Sequence, residues 1–137
     1  MIKPASAADL GDLLDMAQRF HAVSEMPVRF NRGFMAQNLT QWINFGIVLR
    51  SEHGMIAGGI IPAYCDPDWK VAIETLWFSE DGKGLPLLRA FESAARDAGA
   101  NEIRMTHLSA LPRAAKALSR AGYDAVEVSH SKVISWH

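Results

Sequence analysis

The chain of 137 residues carries 14 basic and 15 acidic side chains, and its net charge of −1 gives no electrostatic basis for binding nucleic acid. Apolar residues make up 49%, enough for the core of one domain covering residues 1–137. No apolar run approaches the roughly 20 residues of a membrane span, and MIKPASAADL lacks the apolar segment of a signal peptide. A single cysteine, Cys65, excludes an intramolecular disulfide, so we expect a cytoplasmic protein without a membrane partner.

The first third of the chain reads as a short strand followed by two helices. The strand covers residues 2–5, and Ser6 is a typical N-cap for a helix over 7–22, in which apolar residues recur every three or four positions. After a loop that contains a proline, Asn31 caps a second amphipathic helix over 32–45.

A hairpin and a central strand come next. Residues 47–51 and 55–64 are apolar strands joined by a Glu-His-Gly turn. Gly58 and Gly59 would weaken the second strand unless a bulge or a close neighbour requires them. Residues 71–78 are apolar, and mostly β-branched or aromatic, apart from Glu74 and Thr75, which predicts the central strand.

A glycine-rich turn at 79–84 connects this strand to a helix over 85–98, which Gly99 ends. The N-terminus of a helix presents unpaired N–H groups, and Gly82 and Gly84 leave the backbone accessible to an anion, with Lys83 adding a positive charge. The turn is therefore a candidate pyrophosphate site, although a purely structural turn explains the same residues equally well.

The remaining residues alternate between strand and helix patterns. A strand at 102–107, a helix at 112–121 and two final strands at 123–129 and 131–136 complete the order β-α-α-β-β-β-α-β-α-β-β. Antiparallel strands followed by β-α-β-α-β predict an α+β fold with a mixed, mostly antiparallel sheet flanked by helices.

This order resembles the GNAT superfamily of N-acetyltransferases over essentially the whole chain. Residues 2–20 resemble the first strand and helix of the family, 56–60 its third strand, and 118–124 (LSRAGYD) its last helix and the Gly-aromatic step after it. The stretch 76–100 is similar to compact members common in bacteriophages and prophages. The resemblance implies acetyl-coenzyme A as cosubstrate and transfer of its acetyl group to a primary amine of a small molecule or peptide.

The family's coenzyme signature is Arg or Gln, two residues, Gly, one residue, and Gly or Ala. Both glycines match, but Ser79 stands at the Arg/Gln position. The resemblance implies that the pantetheine arm pairs with the backbone of the central strand and that the pyrophosphate binds at the turn. The implied coenzyme-binding residues are Leu76, Trp77 and Phe78 in the strand, and Asp81, Gly82, Lys83, Gly84 and Leu85 in the turn.

Family members often use a central-strand Glu as general base, and Glu74 lies in the matching strand. A carboxylate among apolar residues tends to have a raised pKa, which suits a base, but an ordinary partly exposed strand residue is the alternative. Many relatives place a Tyr general acid where this chain has Leu118, and Tyr123 is expected in the core.

Other polar residues are candidates for binding the acceptor or replacing the acid. His107 and Ser109 lie at the end of the fifth predicted strand, 102–107. The loop after the first helix, which in the family often borders the acceptor site, supplies His21, Glu25 and Arg29. The histidines lack metal-ligand spacing, so we expect no metal. A catalytically degenerate GNAT-fold module that binds acyl-coenzyme A or a protein is the alternative function, and a homodimer is a common state of the family.

Overall fold

The computed structural model describes residues 1–109 and 111–135, and its strands form a single sheet in the order β1-β2-β3-β4-β5. Strands β1 to β4 pair antiparallel, whereas β5 lies parallel to β4. This confirms the predicted fold class, a mixed and mostly antiparallel sheet. The strands are β1 (Lys3–Pro4), β2 (Ile47–Arg50), β3 (Gly54–Ala63), β4 (Asp66–Ser79) and β5 (Glu102–Arg104).

Helices cover both faces of this sheet. The helices are α1 (Leu10–Ser24), α2 (Arg32–Phe45), α3 (Gly84–Asp97) and α4 (Pro112–Arg120), with a 3-10 turn at Ala7–Asp9 before α1. The predicted cap of α2 is confirmed, since the side chain of Asn31 accepts the N–H of Phe34 at 3.0 Å. Helix α1 runs past its predicted end into the expected loop, and Glu25 terminates it in the left-handed conformation with φ 56°.

Two apolar clusters hold the helices against the sheet. One packs α1 and α2 against side chains such as Val48, Met55 and Leu76. The other packs α3 and Leu118 of α4 against the opposite face, where Phe91 of α3 and Ile56 of β3 are fully buried. Because alternate residues of β3 and β4 enter different clusters, both faces of the central strands are covered.

The two strands predicted at 123–129 and 131–136 are not formed. Residues 124–135 are exposed and pair with no strand, and Trp136 lies outside the described residues. Val126 and Val128 remain largely exposed, and the one ion pair described for this segment joins Glu127 to Arg104 of β5 at 3.5 Å. The alternation of β-branched residues favours a strand only where a neighbouring strand supplies cross-strand contacts.

Two strand boundaries also differ from the sequence-based expectation. Strand β4 begins at Asp66 instead of residue 71, because Asp66 already pairs with Ala63 of β3 and Lys70 with Pro62. Strand β5 ends at Arg104 instead of residue 107, because the last residue pair between the two parallel strands joins Arg104 to Ile73 of β4. In the part of the chain that the structure describes, no helix is long and apolar enough to cross a membrane.

A bulge in β4 shapes the middle of the sheet. Ala57 pairs with Leu76 and Gly58 with Glu74, so Thr75 is the extra residue of β4. A Cβ on Gly58 would overlap the carbonyl oxygen of Ile73, whereas a Cβ on Gly59 would meet no atom within 4 Å. Close backbone approach at the bulge therefore explains Gly58 but not Gly59.

This contrast gives a test of the bulge. We expect Gly58→Ala to lower the free energy of unfolding by about 1–3 kcal/mol, because the backbone of β4 must move to admit the methyl group. The matched change Gly59→Ala should leave stability within about 0.5 kcal/mol of wild type or raise it. Urea unfolding of both variants checks this, and equal destabilisation would contradict the close packing at Gly58.

Candidate active site

The site lies where β5 separates from β4. The two strands pair only at 71–73 with 102–104, whereas β4 continues to Ser79. From Leu76 to Phe78, β4 pairs with β3 on one edge, and no strand described in the structure occupies its other edge. Backbone N–H and C=O groups on that edge are available to a ligand that hydrogen-bonds as a strand does.

Glu74 stands at the point of separation. Its carboxylate oxygen Oε2 accepts hydrogen bonds from the backbone N–H and the hydroxyl of Thr106, both at 3.1 Å. The residue is only 5% exposed. Burial raises the pKa of the Glu74 carboxyl above its ordinary value, and the two hydrogen bonds from Thr106 oppose that rise.

The second carboxylate oxygen of Glu74 is Oε1, and the residue lines an adjoining cavity. Among the described residues no donor binds Oε1, yet the structure contains no fully buried side-chain oxygen without a partner. Oε1 therefore retains access to the adjoining cavity. One oxygen fixes the side chain, and the other can accept a proton or a hydrogen bond from a bound molecule.

This cavity has a volume of about 690 Å³, within the range of roughly 300–1,000 Å³ typical of small-molecule sites. One part of the wall comes from helices α1 and α2 and the loop that connects them. The other part comes from β4, from residues 106–108 and from Leu111 and Ala114 at the start of α4. Most lining side chains are apolar, including Phe20, Met26, Phe30, Phe34, Met35, Leu76, Leu108 and Leu111.

The residues predicted to bind the pantetheine arm separate into two groups. Leu76 and Trp77 line the cavity, and the indole N–H of Trp77 donates to the carbonyl of Gly84 at 3.0 Å. Phe78 is not part of the cavity wall, since its ring packs against Phe20 with centroids 5.2 Å apart. The backbone of Phe78 nevertheless lies in the part of β4 whose second edge is free, and the predicted contact with the pantetheine arm involves this backbone.

The predicted pyrophosphate turn joins β4 to α3, outside the walls of the cavity. Gly82 has φ 74° and open space around it, and Lys83 caps the helix. The carboxylate of Asp81 accepts the hydroxyl of Ser79 at 2.7 Å and the N–H of Lys83 at 3.0 Å. These bonds hold the pKa of Asp81 below its ordinary value, so a negative charge is already present at this turn.

The turn nevertheless fits a pyrophosphate. Among the described residues no acceptor binds the backbone N–H groups of Gly84 and Leu85, which point out of the first turn of α3. Gly84 has a second role, since a Cβ there would lie 3.3 Å from the indole nitrogen of Trp77. Arg19 of α1 binds Glu80 through two hydrogen bonds of 2.8 and 2.7 Å and fixes the beginning of the turn.

The other candidate residues are divided by the structure. His21, Arg29 and His107 line the cavity, whereas Glu25 and Ser109 do not. A ring nitrogen of His21, Nε2, lies 2.6 Å from the carbonyl oxygen of Val28, which holds the loop after α1.

The absence of a tyrosine at position 118 has a structural counterpart. Leu118 is buried in the core beside α3, and the hydroxyl of Tyr123 donates to Glu92 at 3.0 Å on that same side. The core position predicted for Tyr123 is confirmed, as its ring packs partly buried against this cluster. Burial is the main reason that the pKa of Tyr123 is raised, so neither residue offers a proton donor to the cavity.

Thr106 is the residue that the sequence did not reveal. It lies just past β5 and fixes Glu74 through both its backbone and its side chain. A single threonine after a strand has no periodic pattern that separates it from a solvated residue. The described residues contain no group of three His, Cys, Asp or Glu side chains placed to hold a metal ion.

No family model and no curated protein matches the sequence. Solved structures do match in fold. A predicted acetyltransferase from Clostridium acetobutylicum, determined with acetyl-CoA, has a TM-score of 0.76 at 11% identity, covering 98% of this chain and 96% of that chain. The aminoglycoside antibiotic 6'-N-acetyltransferase of Acinetobacter haemolyticus has a TM-score of 0.71 at 19% identity, covering 98% and 99%.

A third match is the ribosomal-protein-alanine N-acetyltransferase of Brucella melitensis biovar Abortus 2308, with a TM-score of 0.72 at 12% identity, covering 98% of this chain and 99% of that chain. At these identities the likeness is one of fold. The chain has the fold of these acetyltransferases, as the resemblance to the GNAT superfamily implied. The bacteriophage-like subtype and the roles of individual site residues stay predictions.

The pKa of Glu74 leads to a stability prediction. The folded state holds this proton more tightly than the unfolded chain, so ionisation of Glu74 lowers stability as pH rises from below 4.5 through the raised pKa. Glu74→Gln keeps an acceptor for Thr106 and cannot ionise. We expect the variant to gain stability over wild type at neutral pH and to lose that advantage at acid pH.

Urea unfolding at about pH 4 and about pH 8 measures the difference. The control is Glu52→Gln, because the Glu52 side chain is 85% exposed in the turn between β2 and β3. It should show no comparable pH-dependent gain. A Glu74→Gln protein that is less stable than wild type at neutral pH would refute the effect of burial on this carboxyl.

Proposed function

We propose that this protein is an N-acetyltransferase that moves the acetyl group of acetyl-coenzyme A to a primary amine. The observation that carries the proposal is the free edge of β4 beside a buried carboxylate in a cavity of molecular size. The fold shared with solved acetyltransferases supports it. The pantetheine arm would pair with the backbone of Leu76, Trp77 and Phe78, and the pyrophosphate would bind at the turn from Asp81 to Leu85.

The proposed reaction is a direct attack of the amine on the thioester. A bond forms between the amine nitrogen and the acetyl carbon, the carbon–sulfur bond breaks, and the sulfur leaves as a thiolate. Glu74 Oε1 accepts a proton from the amine, directly or through water, and a backbone N–H of β4 stabilises the developing oxyanion. Water protonates the thiolate, because Leu118 is in the core and provides no acid.

Two observations favour the alternative of a module that binds the coenzyme without turnover. Leu118 replaces the family's acid and packs in the core, and Asp81 adds a negative charge where phosphate is expected. The two functions differ in whether Glu74 affects a chemical step. Calorimetric titration with acetyl-coenzyme A comes first, and we expect micromolar affinity, about −8 kcal/mol.

The role of Glu74 is tested by separating binding from transfer. We expect Glu74→Gln to lower the acetylation rate by about 10²-fold or more while the calorimetric Kd for acetyl-coenzyme A stays unchanged. The wild-type rate should rise with pH through the raised pKa of Glu74, because the base acts when ionised. Glu52→Gln serves as the matched control, and equal transfer by wild type and Glu74→Gln would favour the binding module.

The charges of the turn give a second test. We expect Asp81→Asn to tighten acetyl-coenzyme A binding about threefold to tenfold, since it removes a negative charge and keeps an acceptor for Ser79 and Lys83. Lys83→Ala should weaken binding by a similar factor. Neither change should alter the affinity for S-acetylpantetheine, which lacks the pyrophosphate. Equal effects on both ligands, or no effect on either, would contradict the placement of the pyrophosphate.

A further inference from the structure

The cavity beside Glu74 is unevenly charged. Of the described residues in its wall, only Arg29 and Glu74 carry a formal charge at neutral pH with histidine neutral. Glu74 is buried, whereas Arg29 is exposed in the loop between α1 and α2. The rest of the described wall is mostly apolar and aromatic. A molecule that fills this space meets one negative group, one positive group and a large apolar surface.

Arg29 differs from nearby arginines in having its guanidinium free. Arg32 binds Asp15 at 2.8 Å and Gln18 at 3.0 Å, and Arg19 binds Glu80 through two hydrogen bonds. Within residues 1–109 and 111–135, no ion pair or side-chain hydrogen bond engages Arg29. A guanidinium presents donors in a planar fork that matches a carboxylate, so Arg29 can bind one without breaking an existing contact.

The same wall disfavours an acceptor with several positive charges. Each ammonium group moved into an apolar wall needs an acceptor, and burying a charge without one costs several kcal/mol. Glu74 is the one carboxylate among the described lining residues. An aminoglycoside or a polyamine would leave its further ammonium groups without a carboxylate in the described cavity wall and with Arg29 as a like charge.

We propose that the acceptor is a primary amine with an apolar, aromatic-sized body and a single carboxylate, whose amine faces Glu74 and whose carboxylate binds Arg29. The proposal rests on the proposed acetyl transfer and specifies its acceptor. The transferred acetyl group forms an amide with this amine, the thiolate leaves, and the amine proton passes to Glu74 or water. Arg29 is a specificity-determining residue that touches the acceptor away from the reacting atoms.

The experiment compares three amines that share a phenethyl body and differ in a carboxylate, together with one polycation. Phenethylamine supplies the apolar body alone, phenylalanine adds a carboxylate next to the amine, and 4-(2-aminoethyl)benzoate adds one at the far end of the ring. Kanamycin represents a polycation. We expect at least one of the two carboxylates to exceed phenethylamine in kcat/KM by about fivefold to tenfold, through KM, and kanamycin to be the poorest acceptor.

Two variants assign the preference to its residue. In Arg29→Gln the ratio of kcat/KM for the preferred carboxylate to that for phenethylamine should fall to about one. Arg32→Gln is the matched control, because Arg32 is three residues away in sequence and outside the cavity wall. The kcat/KM ratio of the Arg32→Gln variant should equal that of wild type. Calorimetry with acetyl-coenzyme A on both variants verifies that they are folded and bind the coenzyme.

The outcomes separate this proposal from the one beneath it. A preference for kanamycin, no advantage of either carboxylate, or a preference that survives Arg29→Gln would overturn the acceptor class while leaving acetyl transfer in place. Coenzyme binding with no transfer to any of the four amines would overturn it as well and would favour the binding module. A protein that does not bind acetyl-coenzyme A at millimolar concentration refutes the proposed function itself, and with it this assignment.

Discussion

The structure depends most on the hydrogen bonds between Glu74 and Thr106 at the place where two parallel strands separate. A carboxylate that is 5% exposed is costly to bury, and the N–H and hydroxyl of Thr106 offset that cost at one oxygen. Because β5 contributes no partner beyond Arg104, the edge of β4 toward Phe78 is free. The separation thus creates the backbone edge and the cavity together, with Glu74 at their junction.

The bulge next to Glu74 acts with this separation. Around the extra residue Thr75 the four consecutive residues 74–77 all line the cavity, while β3 stays paired on either side of the irregularity. Gly58 is needed because the β4 backbone comes close enough to exclude a Cβ, and a Cβ on Gly46 would in turn overlap the carbonyl of Gly58. Gly46 and Gly58 therefore permit the close strand packing beside the buried Glu74.

The sequence predicted those parts of the fold that repeat and missed those that do not. Apolar spacing located helices α1, α2 and α3, and the contrast between Glu74 and its apolar neighbours indicated a carboxyl with a raised pKa. Thr106 escaped because its role arises from β5 ending beside β4, which local pattern does not encode. The final strands were wrong because β-branched residues such as Val126 and Val128 specify a strand only when a partner edge accepts it, and here they stay exposed.

In the proposed function, the coenzyme and the acceptor bind to different parts of this fold. The free edge and the turn before α3, where the coenzyme is proposed to bind, present backbone groups, and a site made of backbone groups depends little on side-chain identity. An aminoglycoside 6'-N-acetyltransferase and a ribosomal-protein-alanine N-acetyltransferase both have similar folds, so the fold alone does not set the acceptor. The proposed acceptor side is lined by side chains of the α1–α2 loop, and Arg29 lines the same cavity as aromatic residues such as Phe30 and Phe34. Substrate choice should therefore follow the composition of that loop rather than the geometry of the sheet.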